Sequence, residues 1–118
     1  MERKFLILAI FWTVIITWLS LVSFEKVPSV SISIPGKDKA VHFCFYFSFV
    51  VLWAKGLKVR TKNQQLSILL VAVIYGIIIE VFQDIFTLTR TADVLDVVAN
   101  SIGAISGIVF LRVKKIIV

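Results

Sequence analysis

Residues 66–86, LSILLVAVIYGIIIEVFQDIF, decide the fold class of this chain. No charged residue occurs in this run before Glu80. At 1.5 Å per residue, a helix of this length covers about 30 Å, which is the thickness of the hydrocarbon core of a bilayer. The run therefore predicts a transmembrane helix.

Three other runs, residues 5–23, 40–56 and 92–111, have the same apolar character. The second is the shortest and contains His42, but Lys55 can extend it by reaching toward the interface. A cleaved signal peptide is the alternative for the first run, although residues 21–23 are a poor cleavage site and three hydrophobic runs follow. We therefore predict one all-α membrane domain over residues 1–118, a bundle of four transmembrane helices.

The composition excludes the other broad classes of protein. Of the 118 residues, 59% are apolar and 17% are charged, and the mean hydropathy is +1.00. A soluble domain of this size could not bury so much apolar surface, and a disordered chain would be far more polar. The single cysteine, Cys44, excludes a disulfide scaffold.

The basic residues predict the orientation of the bundle. With four spans, nine of the 13 Lys and Arg residues fall on the side of the two termini, and six of the seven acidic residues fall on the other side. Because Lys and Arg are retained in cytoplasmic loops, both termini are predicted to be cytoplasmic. The net charge of +6 then reflects membrane topology, and we expect no nucleic-acid partner.

Polar residues inside the later three runs are the candidates for function, because an ionisable side chain in a span costs a few kcal/mol. Spacings of three and four residues place the polar residues of each run on one face of its helix. Counting 1.5 Å per residue puts them within roughly 12 Å of the outer boundary, around a shallow cavity open to the outside. The predicted ligand-binding residues are Lys39, His42, Glu80, Gln83, Arg90, Asp93, Asp96 and Asn100.

These residues form an ordered set of motifs across three runs. They are Asp38-Lys39-x-x-His42-Phe43-x-x-Tyr46, then Glu80-x-x-Gln83, then Arg90-x-x-Asp93-x-x-Asp96-x-x-x-Asn100-x-x-Gly103-x-x-x-Gly107. The set resembles the VanZ-like family of small bacterial membrane proteins over about residues 37–111, although the Pro that often precedes the family's Arg is absent before Arg90. The founding member is associated with resistance to teicoplanin. The resemblance implies a multi-pass protein of the bacterial plasma membrane that affects glycopeptide susceptibility.

We expect the site to bind an anionic envelope lipid or a lipid-linked cell-wall precursor, with Arg90 and Lys39 holding the anion. The alternative is an intramembrane enzyme acting on a lipid phosphate or ester, with His42, Glu80 and Asp96 as catalytic candidates. Neither serine considered as a nucleophile, Ser48 or Ser101, has a supporting motif. Transport is less favoured, since four spans would need a dimer to enclose a path, and a structural adaptor is also open.

Two further expectations concern metals and packing. The chain has one histidine and no Cys-x-x-Cys pair, so we predict neither a metal site nor a cofactor. Gly103 and Gly107 are predicted to be a close-packing face, used within the bundle or in a homodimer.

Overall fold

The computed structural model describes residues 3–21, 37–86 and 94–114. They form four α-helices, which are α1 (Arg3–Leu21), α2 (Lys37–Gly56), α3 (Lys62–Phe86) and α4 (Val94–Val113). No strand occurs within these ranges. The predicted all-helical architecture is confirmed.

Successive helices run in opposite directions. Lys39 at the start of α2 pairs with Asp96 at the start of α4, so these two helices are parallel. Arg112 at the end of α4 donates a hydrogen bond to Gln65 at the start of α3, so α3 runs the other way. Both described ends of the chain therefore lie on one side of the bundle, and the assignment of that side to the cytoplasm stays a prediction.

Three helices, α1, α3 and α4, are long and apolar enough to cross a membrane. α2 is of similar length, with 20 residues, but it carries charged residues at both ends. It packs against all three others, most extensively against α4. Large apolar side chains cover the outward faces of the other helices, as lipid-facing surfaces require; examples are Phe11, Trp18, Ile74, Ile85 and Val109.

Aromatic side chains fill the space between α1, α2 and α3. The rings of Tyr46, Phe49 and Tyr75 contact one another with centroids 5.3 to 6.0 Å apart. The indole N–H of Trp12 donates to the Phe45 carbonyl, at 3.1 Å. In lipid the indole N–H of Trp12 has no water to bind, so its hydrogen bond inside the bundle stabilises the contact between α1 and α2.

Gly103 and Gly107 let α4 approach the backbone of α2. A Cβ atom on Gly103 would lie 2.3 Å from the carbonyl oxygen of Phe43, and one on Gly107 would lie 3.1 Å from that of Phe47. Both glycines are buried. They pack against α2 within one chain, and the homodimer through these glycines stays a prediction.

The loop between α2 and α3 is fixed by hydrogen bonds at both helix ends. Thr61 Oγ1 accepts from the Gln64 backbone N–H, and Gln64 Oε1 accepts from the Thr61 N–H. This capping box explains why α3 begins at Lys62, four residues before the predicted run. At the end of α2, Lys58 adopts a φ of 55°, and Val59 N–H donates to the Ala54 carbonyl, which is a Schellman ending.

Candidate functional site

Three helices contribute one ionisable side chain each to a common cluster. His42 comes from α2, Glu80 from α3 and Asp96 from α4, and one ligand atom of each lies within 4.8 Å of the others. His42 is 8% exposed and Glu80 is 3% exposed. The parallel course of α2 and α4 and the opposed course of α3 bring these three positions to the same height. We call these three residues the acid–histidine cluster.

Asn100 fixes the orientation of the His42 ring. His42 Nδ1 lies 3.0 Å from Asn100 Oδ1. Because an amide oxygen can only accept, Nδ1 must carry the proton and donate it to Asn100. The other ring nitrogen, Nε2, then faces Asp96 Oδ2 at 3.6 Å.

Lys39 connects the acid–histidine cluster to the protein surface. Its Nζ atom lies 2.5 Å from Asp96 Oδ1, and its side chain is 35% exposed while that of Asp96 is 13% exposed. Asp96 also stands in the first turn of α4, where the unpaired backbone N–H groups favour a negative charge. The carboxylate of Asp96 is thus stabilised from two directions.

Beside the acid–histidine cluster, Gly76 leaves room for Asn100 and Tyr46. A Cβ atom on Gly76 would lie 2.9 Å from Asn100 Nδ2 and 3.4 Å from the Tyr46 ring. Both side chains are 1% exposed, and within the described part of the chain neither Asn100 Nδ2 nor the Tyr46 hydroxyl has a hydrogen-bond partner. The Tyr46 hydroxyl also interacts electrostatically with Glu80, so two buried polar groups border the cluster.

The structure brings five of the eight predicted site residues together, namely Lys39, His42, Glu80, Asp96 and Asn100. In this cluster His42, Glu80 and Asn100 are buried while Lys39 and Asp96 are partly exposed, and the outward-facing cavity stays a prediction. Gln83 Nε2 donates to the Ser20 carbonyl, at 2.9 Å, which joins α3 to α1. Arg90 and Asp93 lie outside the described residues.

Another buried polar residue, Gln65, lies at the opposite end of the bundle from the acid–histidine cluster. Gln65 is 2% exposed; its amide donates to the Arg60 carbonyl and accepts from Arg112. The predicted third run begins at residue 66, so Gln65 was not predicted to lie on a helix. The Thr61 to Gln64 capping pattern is the sequence signal that would have placed it on the helix.

The fold and the buried polar cluster define a multi-pass membrane protein with a polar site among its helices. The sequence model of the VanZ/LLP1 family matches residues 5–115, nearly the whole chain, so this chain belongs to the VanZ/LLP1 family. The predicted family resemblance is confirmed. No curated protein and no solved structure gives a significant match.

The charge of the described site limits its chemistry. With both acids ionised and His42 neutral, Lys39, Glu80 and Asp96 sum to one negative charge. Carboxylates and an imidazole at this separation can exchange protons or hold a cation. Among these three residues, Lys39 supplies the positive charge that an anion would meet.

Proposed function

We propose that the site binds an anionic component of the bacterial envelope, a phospholipid headgroup or a lipid-linked cell-wall precursor. The observation that carries this proposal is the position of Lys39. Its side chain is 35% exposed, while Asp96, with which it pairs, is 13% exposed, so its positive charge lies at the edge of the buried polar residues. An ammonium group so placed suits a phosphate oxygen.

The position along the helix also favours a headgroup. Lys39 is the third residue of α2, so the ammonium group stands near the end of the bundle, at the depth of lipid phosphates. In the sequence, Arg90 stands four residues before the start of α4 and supplies a second cation suited to bidentate phosphate binding. Binding a surface lipid or precursor in this way would change how glycopeptide antibiotics meet the membrane.

Mass spectrometry of the lipids that purify with the protein tests this proposal. We expect an anionic lipid or precursor to remain with the wild type and to be lost from Lys39→Gln and from Arg90→Ala. Lys114→Gln is the matched control, because Lys114 is exposed at the other end of the bundle. Equal amounts of every anionic lipid on all four proteins would refute the proposal.

An enzyme acting on a lipid phosphate or ester is the second candidate. The placement of His42 favours it, because a ring held by Asn100 and facing a carboxylate is arranged as a general base. Ser101 is not presented as a nucleophile, since its hydroxyl donates to the Val97 carbonyl at 2.8 Å. Turnover of defined lipids in proteoliposomes, lost in His42→Ala and in Glu80→Gln, would favour catalysis over binding.

A further inference from the structure

We infer that His42, Glu80 and Asp96 bind one divalent metal cation of the Mn²⁺ or Zn²⁺ class. Two ligand atoms on such an ion, each at about 2.1 Å, lie between about 3.0 and 4.2 Å apart. His42 Nε2 and Asp96 Oδ2 are 3.6 Å apart. The full set lies within 4.8 Å, and a small rotation of one carboxyl group closes the difference.

The orientation of the His42 ring favours a cation between α2 and α4. Since Nδ1 donates to Asn100, a neutral ring turns the lone pair of Nε2 toward Asp96. Two acceptor atoms then face each other at a separation too long for a hydrogen bond. A metal ion between His42 Nε2 and Asp96 Oδ2 would bind both atoms.

The residues next to these three ligands hold them in the orientation that a metal site requires. Metal-bound histidines regularly donate their other N–H to an oxygen acceptor, which here is Asn100. Lys39 binds Oδ1 of Asp96 and leaves Oδ2 turned toward His42. Both contacts orient the ligand atoms inward.

The two buried polar groups at Gly76 are an independent observation that points to a ligand. The Tyr46 hydroxyl and Asn100 Nδ2 are nine-tenths buried or more and have no hydrogen-bond partner among the described residues. Leaving such a buried polar group without a hydrogen-bond partner destabilises the folded state. Tyr46 interacts electrostatically with Glu80, and Asn100 binds His42, so both unpaired groups belong to side chains next to two of the proposed ligands.

The ligand types and the charge of the site indicate which metal ion binds and what the ion does. One imidazole with two carboxylates suits Mn²⁺ or Zn²⁺ better than the all-oxygen sites that Ca²⁺ prefers. A divalent cation changes the charge of the described site from −1 to +1, which makes it attractive to phosphate. The metal site is inferred from the distances between its ligand atoms. The further step, that the bound ion contacts the phosphate of a lipid headgroup, rests on the proposed function.

Binding of Mn²⁺ to the full chain in detergent, after removal of metals with EDTA, tests the inference. Electron paramagnetic resonance measures the free Mn²⁺, and we expect about one ion bound per chain, displaced by Zn²⁺. Asp96→Asn and Glu80→Gln should weaken binding by more than about tenfold, and Asn100→Ala by about 10- to 100-fold. Asp84→Asn is the matched control, since this acid is exposed on the same helix as Glu80 and should bind Mn²⁺ like the wild type.

The wild type alone can overturn the inference, so variants that fail to fold do not decide it. If the folded wild type binds neither Mn²⁺ nor Zn²⁺, no metal site exists. Binding that is equal in folded Asp96→Asn and Asp84→Asn would also exclude these ligands. Lipid retention after EDTA separates the metal site from the proposed lipid binding. A lipid that depends on Lys39 and persists without metal supports lipid binding alone. Metal binding with no retained lipid supports the metal site alone.

Discussion

The ammonium group of Lys39 lies 2.5 Å from Oδ1 of Asp96 and joins the first turns of the two parallel helices α2 and α4. The pair is asymmetric, because Lys39 is 35% exposed and Asp96 is 13% exposed. Each partner therefore faces a different environment when the other is removed.

This asymmetry predicts that Lys39→Met destabilises the metal-free protein more than Asp96→Asn does. Without Lys39, a buried carboxylate is left beside Glu80, at a cost of about 1–3 kcal/mol. Without Asp96, the lysine can extend toward the interface. Unfolding by SDS, followed by circular dichroism, measures the difference, and the reverse order would contradict this account of the pair.

Gly103→Ala should separate α2 from α4. The added methyl group would meet the Phe43 carbonyl at 2.3 Å, whereas Gly107→Ala gives a contact of 3.1 Å with Phe47. We expect a loss of about 1–3 kcal/mol for Gly103→Ala and a smaller one for Gly107→Ala, measured by the same SDS unfolding. Ser106→Ala is the control on the same helix, and equal stability of Gly103→Ala and this control would argue against the close approach.

Lys58→Gly should stabilise the protein, because Lys58 has a φ of 55°. Side chains cost roughly 1 kcal/mol in this region of the backbone, and glycine does not. We expect thermal unfolding in detergent to shift upward for Lys58→Gly. Lys58→Ala keeps the backbone cost and should show no such gain; a gain of the same size there would point to the removed charge instead.

The orientation of the bundle can be measured with introduced cysteines in a Cys44→Ser background. Arg60 lies in the loop between α2 and α3, and Val94 is 78% exposed at the opposite end. If both termini are cytoplasmic, a membrane-impermeant maleimide labels Val94→Cys in intact cells and labels Arg60→Cys only after permeabilisation. The opposite pattern would invert the predicted topology.

Hydrophobic run length and polar spacing predicted much of this molecule. The four helices begin and end within a few residues of the predicted runs, because the apolar length that crosses a bilayer is fixed. The three- and four-residue spacing also placed His42, Glu80 and Asp96 on faces that the structure brings together.

The contacts between particular side chains, and the packing of the helices, could not be predicted from the sequence. A helical spacing identifies a face, but the rotation of each helix decides that Asn100 meets His42 and that Gly103 meets Phe43. The early start of α3 was missed because its first turn is polar, and its capping box is a local hydrogen-bond pattern rather than a hydrophobic one.

The charged ends of α2 and its central place in the bundle bear on how the protein is made. A segment that carries His42 and is flanked by lysines at both ends enters the lipid at a disadvantage as it leaves the ribosome. α1 precedes it, and the two are joined by hydrogen bonds from Trp12 to Phe45 and from Trp53 to Thr13. We therefore expect α1 and α2 to partition into the bilayer as a hairpin, with the first helix helping the second to insert.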